Sequence, residues 1–184
     1  MAKIARTTVT SLALLASTSC AGASGSVSAL PTSQPTPSVS ASPSPDAQSI
    51  SAAEALEAYG GFRRAQVAAE AVADVSYPGL ATHAGDKALA QERVNLLRQA
   101  RNNIVMTGQP TFRPQVSNVS ATSDPAVTIS DCVDNGTWTP VHQRTGKSAA
   151  APNQPATVQT TALVRKYNQR WLVVEFTSDR SRPC

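Results

Sequence analysis

The feature that most limits what this chain can fold into is a change of period near Ile104. Residues 51–100 are rich in Ala, Leu, Glu, Gln and Arg, with apolar positions three and four apart. From Ile104 to Thr177 the chain breaks into short runs of β-branched and aromatic residues that alternate at a period of two. A helical block followed by a strand block is an α+β plan, with the helices covering one face of a mostly antiparallel sheet. The 184 residues allow one such domain with extensions.

In the helical block, Ser51-Ala52-Ala53-Glu54 has the form of a capping box, with Ile50 as its hydrophobic staple. The first helix is expected from there to about Val75, with Leu56, Tyr59, Phe62, Val67, Ala71 and Val75 as its apolar face. Gly60-Gly61 in its middle costs roughly 1 kcal/mol per glycine and implies close packing against another backbone. Tyr77-Pro78-Gly79 ends the helix. Leu80–Ala84 is expected to form a single turn. Asp86 then caps a third helix to about Gln99, with Leu89, Val94, Leu96 and Leu97 as its apolar set.

In the strand block, Ile104–Met106 and Thr111–Ser120 are extended runs, and Pro114 assigns the second to a sheet edge or a bulge. Ala126–Trp138 (AVTISDCVDNGTW) is a strand ending in an Asn135-Gly136 turn, with Trp138 and Val141 continuing beyond it. Gln143–Pro155 is a polar loop. Thr157–Tyr167 and Trp171–Thr177 are strands joined by a tight turn around Asn168. The last is the most hydrophobic and is therefore expected at the centre of the sheet.

Alternation within Ala126–Trp138 places Asp131 in line with Val127, Ile129 and Val133, opposite Thr128, Ser130, Cys132 and Asp134. A carboxylate among hydrophobes must be paired, hydrogen-bonded, protonated or wet. Three accounts stand: a structural partner such as an Arg or a backbone amide, a bulge that reaches solvent, or a pocket acid that binds or acts as a base.

The N-terminus has the form of an export signal over residues 1–19: Lys3 and Arg6, then an apolar run around Leu12–Ala16 too short to span a membrane. Leu15–Cys20 (LASTSC) resembles a bacterial lipobox, which makes Cys20 the lipid-bearing first residue of the mature chain. The alternative is cleavage after Ala21 or Ala23 and plain secretion. Residues 20–49 are Ser, Pro, Thr and Ala with almost no large apolar group. Such a composition implies a disordered, semi-stiff tether that holds a domain, residues 50–184, off the outer face of the cell membrane. With Cys20 acylated or removed, Cys132 and Cys184 remain, and in an oxidising compartment they are expected to form one disulfide.

Losing Lys3 and Arg6 with the leader lowers the formal charge from +4 to +2. That balance, without a run of clustered cations, does not point to nucleic acid. His83 and His142 stand alone, which leaves no metal-ligand set, and no GxSxG, HExxH, CxxC or glycine-rich phosphate loop occurs. No cofactor is expected.

Ala58-Tyr59, Thr82-His83-Ala84-Gly85-Asp86-Lys87-Ala88-Leu89, Ile129–Asp134 and the terminal Cys184 resemble small exported proteins and lipoproteins of actinobacteria that carry an NTF2-like (SnoaL-like, cystatin-type) cone domain. The resemblance covers roughly residues 50–184. It implies three N-terminal helices packed on a curved, mostly antiparallel sheet of four to five strands, with an internal pocket. The expected role is a non-catalytic binding or accessory module that holds a small apolar ligand in the cone or docks an envelope protein. Related isomerases and cyclases use an Asp base in the cone, so the alternative is an enzyme with Asp131 as base and Tyr59 or Tyr77 as donor.

Overall fold

The computed structural model describes residues 45–184. The expected signal segment, Cys20 and most of the tether lie outside the described residues. Helix α1 runs Pro45–Val72, α2 Pro78–His83 and α3 Asp86–Arg101. The strands are β1 Ile104–Thr107, β2 Pro114–Ser120, β3 Ala126–Asp134, β4 Thr139–His142, β5 Thr157–Tyr167 and β6 Arg170–Asp179. The helical and strand blocks therefore follow the change of period, and all strand pairs are antiparallel.

Helix α1 starts six residues before the expected capping box. Pro45, whose missing N–H costs nothing in a first turn, and Asp46 against the helix dipole open it. Glu54 is thereby freed from capping. Its Oε2 instead accepts a hydrogen bond from Trp171 Nε1 at 2.7 Å and one from Lys166 Nζ at 3.1 Å, tying α1 to the β5–β6 end. The helix closes where Ala73 turns left-handed at φ 52° and Asp74 N–H donates to Ala69 O. Gly61 lets α2 approach: a Cβ there would lie 2.4 Å from His83 Nδ1, so the close neighbour is a side chain and not the expected backbone.

The main sheet has the order β2-β3-β5-β6, and β1 and β4 form a separate two-stranded ribbon. β2 is an edge strand, opened by Pro114 and bulged between Val116 and Asn118, as its proline requires. β6 is the other edge, and not the centre as its hydrophobicity suggested. Its apolar residues are explained by cover: Ala84 bridges to Val173 in parallel, Gly85 N–H donates to Val173 O at 2.9 Å, and Trp171, Val173 and Val174 are buried. The link between α2 and α3 thus caps an edge that would otherwise be open to pairing. The β5–β6 hairpin turns through Asn168 and Gln169, both at positive φ (47° and 65°), the geometry of a two-residue hairpin loop.

The core lies between α1 and the inward face of β3, β5 and β6. Tyr59, Phe62, Leu80, Leu96, Val127, Ile129, Val164 and Val173 are all at most 1% exposed. Cys132, on the opposite face of β3, is bonded to Cys184 with the two Cα atoms 5.8 Å apart. The expected disulfide is therefore present, and it fixes the last residues against the sheet.

Helix α3 corrects the expected apolar set. Ala88, Glu92 and Leu96 are buried, whereas Val94 is 63% exposed and Leu97 39%. The helix is phased by where Glu92 goes rather than by its count of aliphatics.

Candidate functional site

Alternation on β3 aims Asp131 inward, and it is 1% exposed. Its Oδ2 accepts a hydrogen bond from Tyr59 Oη at 2.7 Å, and its Oδ1 accepts one from the Arg113 backbone N–H at 2.6 Å, ahead of β2. Two short bonds from protein donors satisfy the carboxylate's need for solvation. Of the three accounts, the structural partner holds, with the amide as one partner and a phenol as the other. Burial first, then the neighbouring carboxylate, pushes the Tyr59 hydroxyl far above its usual range, while Arg63 pulls it down. Tyr59 is thus a neutral donor at every physiological pH.

Tyr77 does not join this pair. It sits at the N-cap of α2, half-buried against the core, and is not among the hydrogen-bond partners of Asp131. His83 is half-buried at the end of α2 and His142 is exposed at the end of β4. Among the described residues, no group of three or more His, Cys, Asp or Glu side chains is placed to hold a metal ion.

What sequence reading missed is a polar stripe along the buried face of α1. Tyr59, Arg63, Gln66 and Glu70 follow at steps of four, three and four, and all are buried. Arg63 is held by rings: its Cζ lies 4.5 Å from the Phe112 centroid and 4.8 Å from that of Phe176, and Phe176 in turn meets Phe62 edge-on at 5.3 Å. Its Nε has no hydrogen-bond partner. Burial pulls the guanidinium below its usual range, opposed by Tyr59, Asp131, Glu70 and Glu92, which favour the charge.

Beyond Arg63, the stripe meets α3. Glu70 Oε1 accepts from Gln66 Nε2 at 3.2 Å and Asn95 Nδ2 at 3.1 Å, and its Oε2 accepts from Gln99 Nε2 at 3.0 Å. Gln66 Nε2 also donates to Glu92 Oε2 at 2.8 Å, while Glu92 Oε1 is buried without a donor. Two carboxyl groups share this site with unequal support. Glu70 is surrounded by amide donors. Glu92 has one, and burial followed by the nearby Glu70 charge pushes it up to about 8. Glu70 is also raised by burial, against the pull of Gln99, Glu92, Arg63 and Gln66. The physical reading is a carboxyl–carboxylate pair, in which Glu92 keeps its proton at neutral pH beside Glu70. The signal available in the sequence was the helical spacing of Arg63, Gln66 and Glu70 within an alanine-rich segment.

Two depressions on the domain are lined by neither Asp131 nor Tyr59. One, of about 210 Å³, is lined by Arg64, Val67, Ala68, Ala71, Gln109 and Phe112. The other, of about 250 Å³, lies between the start of α3 and the β5–β6 edge, with Asp86, Lys87, Arg165 and Glu175 on its wall.

No family model matches the chain. No curated protein matches it either. Among solved structures, the chain is similar to the intermembrane-space region of the chloroplast protein ARC6, with a TM-score of 0.40 at 14% identity, over 69% of this chain and 95% of that one. It is also similar to a ketosteroid isomerase-like protein from Erwinia carotovora atroseptica, with a TM-score of 0.44 at 14% identity, over 72% and 97%. These scores and identities carry no argument about activity.

Proposed function

We propose that this chain is an exported, membrane-tethered accessory module of the NTF2-like cone type that docks an envelope protein and has no catalytic activity. The observation that carries this reading is the state of Asp131. The candidate base, Asp131, has both oxygens engaged by protein donors and is 1% exposed. A general base must come within hydrogen-bond reach of its substrate, directly or through one water. Asp131 is buried, and each of its oxygens already accepts a bond from a protein donor. The same packing disfavours a small apolar ligand inside the cone and leaves docking at the surface. The export signal and the Cys132–Cys184 bond together support an oxidising, extracytoplasmic setting.

The enzyme alternative draws on the Tyr59–Asp131 contact, since a phenol beside a carboxylate is a usable donor and acceptor pair. It requires the pair to open to substrate, and Tyr77 takes no part in it. The test of the proposed reading is a ligand and turnover screen on the wild type and on Asp131→Asn. The module reading expects no saturable binding that shifts amide resonances of Tyr59, Phe62 or Asp131. Saturable binding there, lost in Asp131→Asn while the fold persists, would sink it. For the anchor, palmitate labelling lost in Cys20→Ala is expected, and an unlabelled wild type would remove the lipoprotein claim.

A further inference from the structure

The phase of α3 leaves a surface that the core does not use. With Ala88, Glu92 and Leu96 inward, the helix turns Ala90, Arg93, Val94, Leu97, Arg98 and Arg101 outward on one stripe, at steps of three, one, three, one and three. Two aliphatics on this stripe are 63% and 39% exposed and are flanked by three arginines. Arg93 and Arg101 make no ion pair among the described residues, and the Arg98 guanidinium bonds to Asn95 of its own helix. The sequence contains no Asp or Glu between Glu92 and Asp124, nor between Asp134 and Glu175, and the carboxylates that meet α3 from within, Glu70 and Glu92, are buried. The Gln143 N–H donates to Asn103 O at 2.8 Å, which brings the turn carrying Arg144 and Lys147 to the C-terminal end of α3.

We propose that the outward face of α3, extended by Arg144 and Lys147, docks on an anionic phospholipid surface. The chemistry selects this occupant. A convex helix face with aliphatics set among arginines matches the layered character of a bilayer interface, where side-chain methyls enter the acyl boundary and cations meet phosphates. A protein hot spot usually offers an aromatic anchor or a pocket. This face has no aromatic residue, and neither depression described above lies on it. The proposal takes from the proposed function only that a membrane is nearby.

The test uses the exported chain with Cys20→Ser, which cannot be acylated, so a wrong anchor assignment and a wrong surface assignment give different results. Flotation with phosphatidylglycerol-containing vesicles is expected, with little on pure phosphatidylcholine and progressive release as salt rises. Removing one cation should weaken partitioning roughly fivefold, and R93Q/R98Q/R101Q roughly a hundredfold, at an unchanged melting temperature. V94S/L97S should weaken the fraction that survives high salt. Equal binding to both vesicle types, no flotation at low salt, or flotation unaffected by the triple substitution overturns the proposal. Retention by immobilised polyglutamate without vesicle binding also overturns it, in favour of an acidic protein partner.

Discussion

Glu70→Gln and Glu92→Gln are the same chemical change one helix apart, and the structure predicts opposite consequences. Glu92 is held up to about 8 from an ordinary value of 4.5, chiefly by burial and then by the charge of Glu70. Between those two values the folded chain holds a proton that the unfolded chain has released. Stability therefore falls as pH rises through this window, by about 1.4 kcal/mol per pH unit for one proton, and levels off above it. The ceiling over the whole window is about 5 kcal/mol, with a few kcal/mol the realistic size because the coupled Glu70 is also raised and shares the effect. A glutamine at 92 is the uncharged stand-in for the protonated acid: its amide can donate to Glu70 and cannot ionise. Glu92→Gln should thus match the wild type near pH 5, exceed it by roughly 2–4 kcal/mol near pH 8.5, and show a slope smaller by one proton. Glu70→Gln takes away an acceptor oxygen from the donors Gln66, Asn95 and Gln99, and should cost about 2 kcal/mol. Urea unfolding of the three proteins at half-unit steps from pH 5 to 8.5 measures this. Equal slopes for wild type and Glu92→Gln, or a Glu92→Gln variant less stable than wild type throughout, would refute the shared-proton reading.

Other positions give sharp expectations. Tyr59→Phe leaves the buried Asp131 Oδ2 without its donor and should lower stability by about 1–3 kcal/mol, measured by denaturant midpoint. A stable Tyr59→Phe variant that retained full cooperativity would show that water reaches the carboxylate. Cys184→Ser opens a 52-residue loop and should cost about 4 kcal/mol in the chain-entropy model, with the loss reproduced by reduction of the wild type and absent on reducing the variant. Gln169 holds φ at 65° in the β5–β6 turn, so Gln169→Gly should raise stability by roughly 0.5–1 kcal/mol. A fall in melting temperature would mean that the Gln side chain stabilises the hairpin.

Much of the fold was legible because period and punctuation are local. The edge assignment from Pro114 and the inward face of β3 follow from single residues or their alternation, whereas Pro78, expected to end the first helix, opens α2 after α1 has closed at Ala73. Position within the sheet was not legible. β6 reads as a centre strand because both of its faces are apolar, yet its edge is covered by Ala84 and Gly85, a tertiary contact that leaves no local mark. The ribbon of β1 and β4 depends likewise on a pairing 32 or more residues apart. Asp131 stood out as an acid among hydrophobes, and its partner Tyr59 was among the residues named. The acid pair on α1 and α3 was hidden because Glu and Gln on a helix read as solvated surface, and Val94 and Leu97 drew the expected apolar face to the wrong side of α3. A buried acid that sits on a helix's inward face in place of its aliphatics is visible only once its partners on the other helix are known.

The proposed function requires an interior filled around the Tyr59–Asp131 pair. Xenon under pressure reports this directly, since it enters apolar cavities large enough to hold a ligand and shifts the resonances of their walls. The closed interior predicts no saturable shifts at Tyr59, Phe62, Ile129 or Asp131, and weak effects confined to the depression beside Val67 and Phe112. Saturable shifts converging on Tyr59, Phe62 and Ile129 would reveal an open cone and contradict the account.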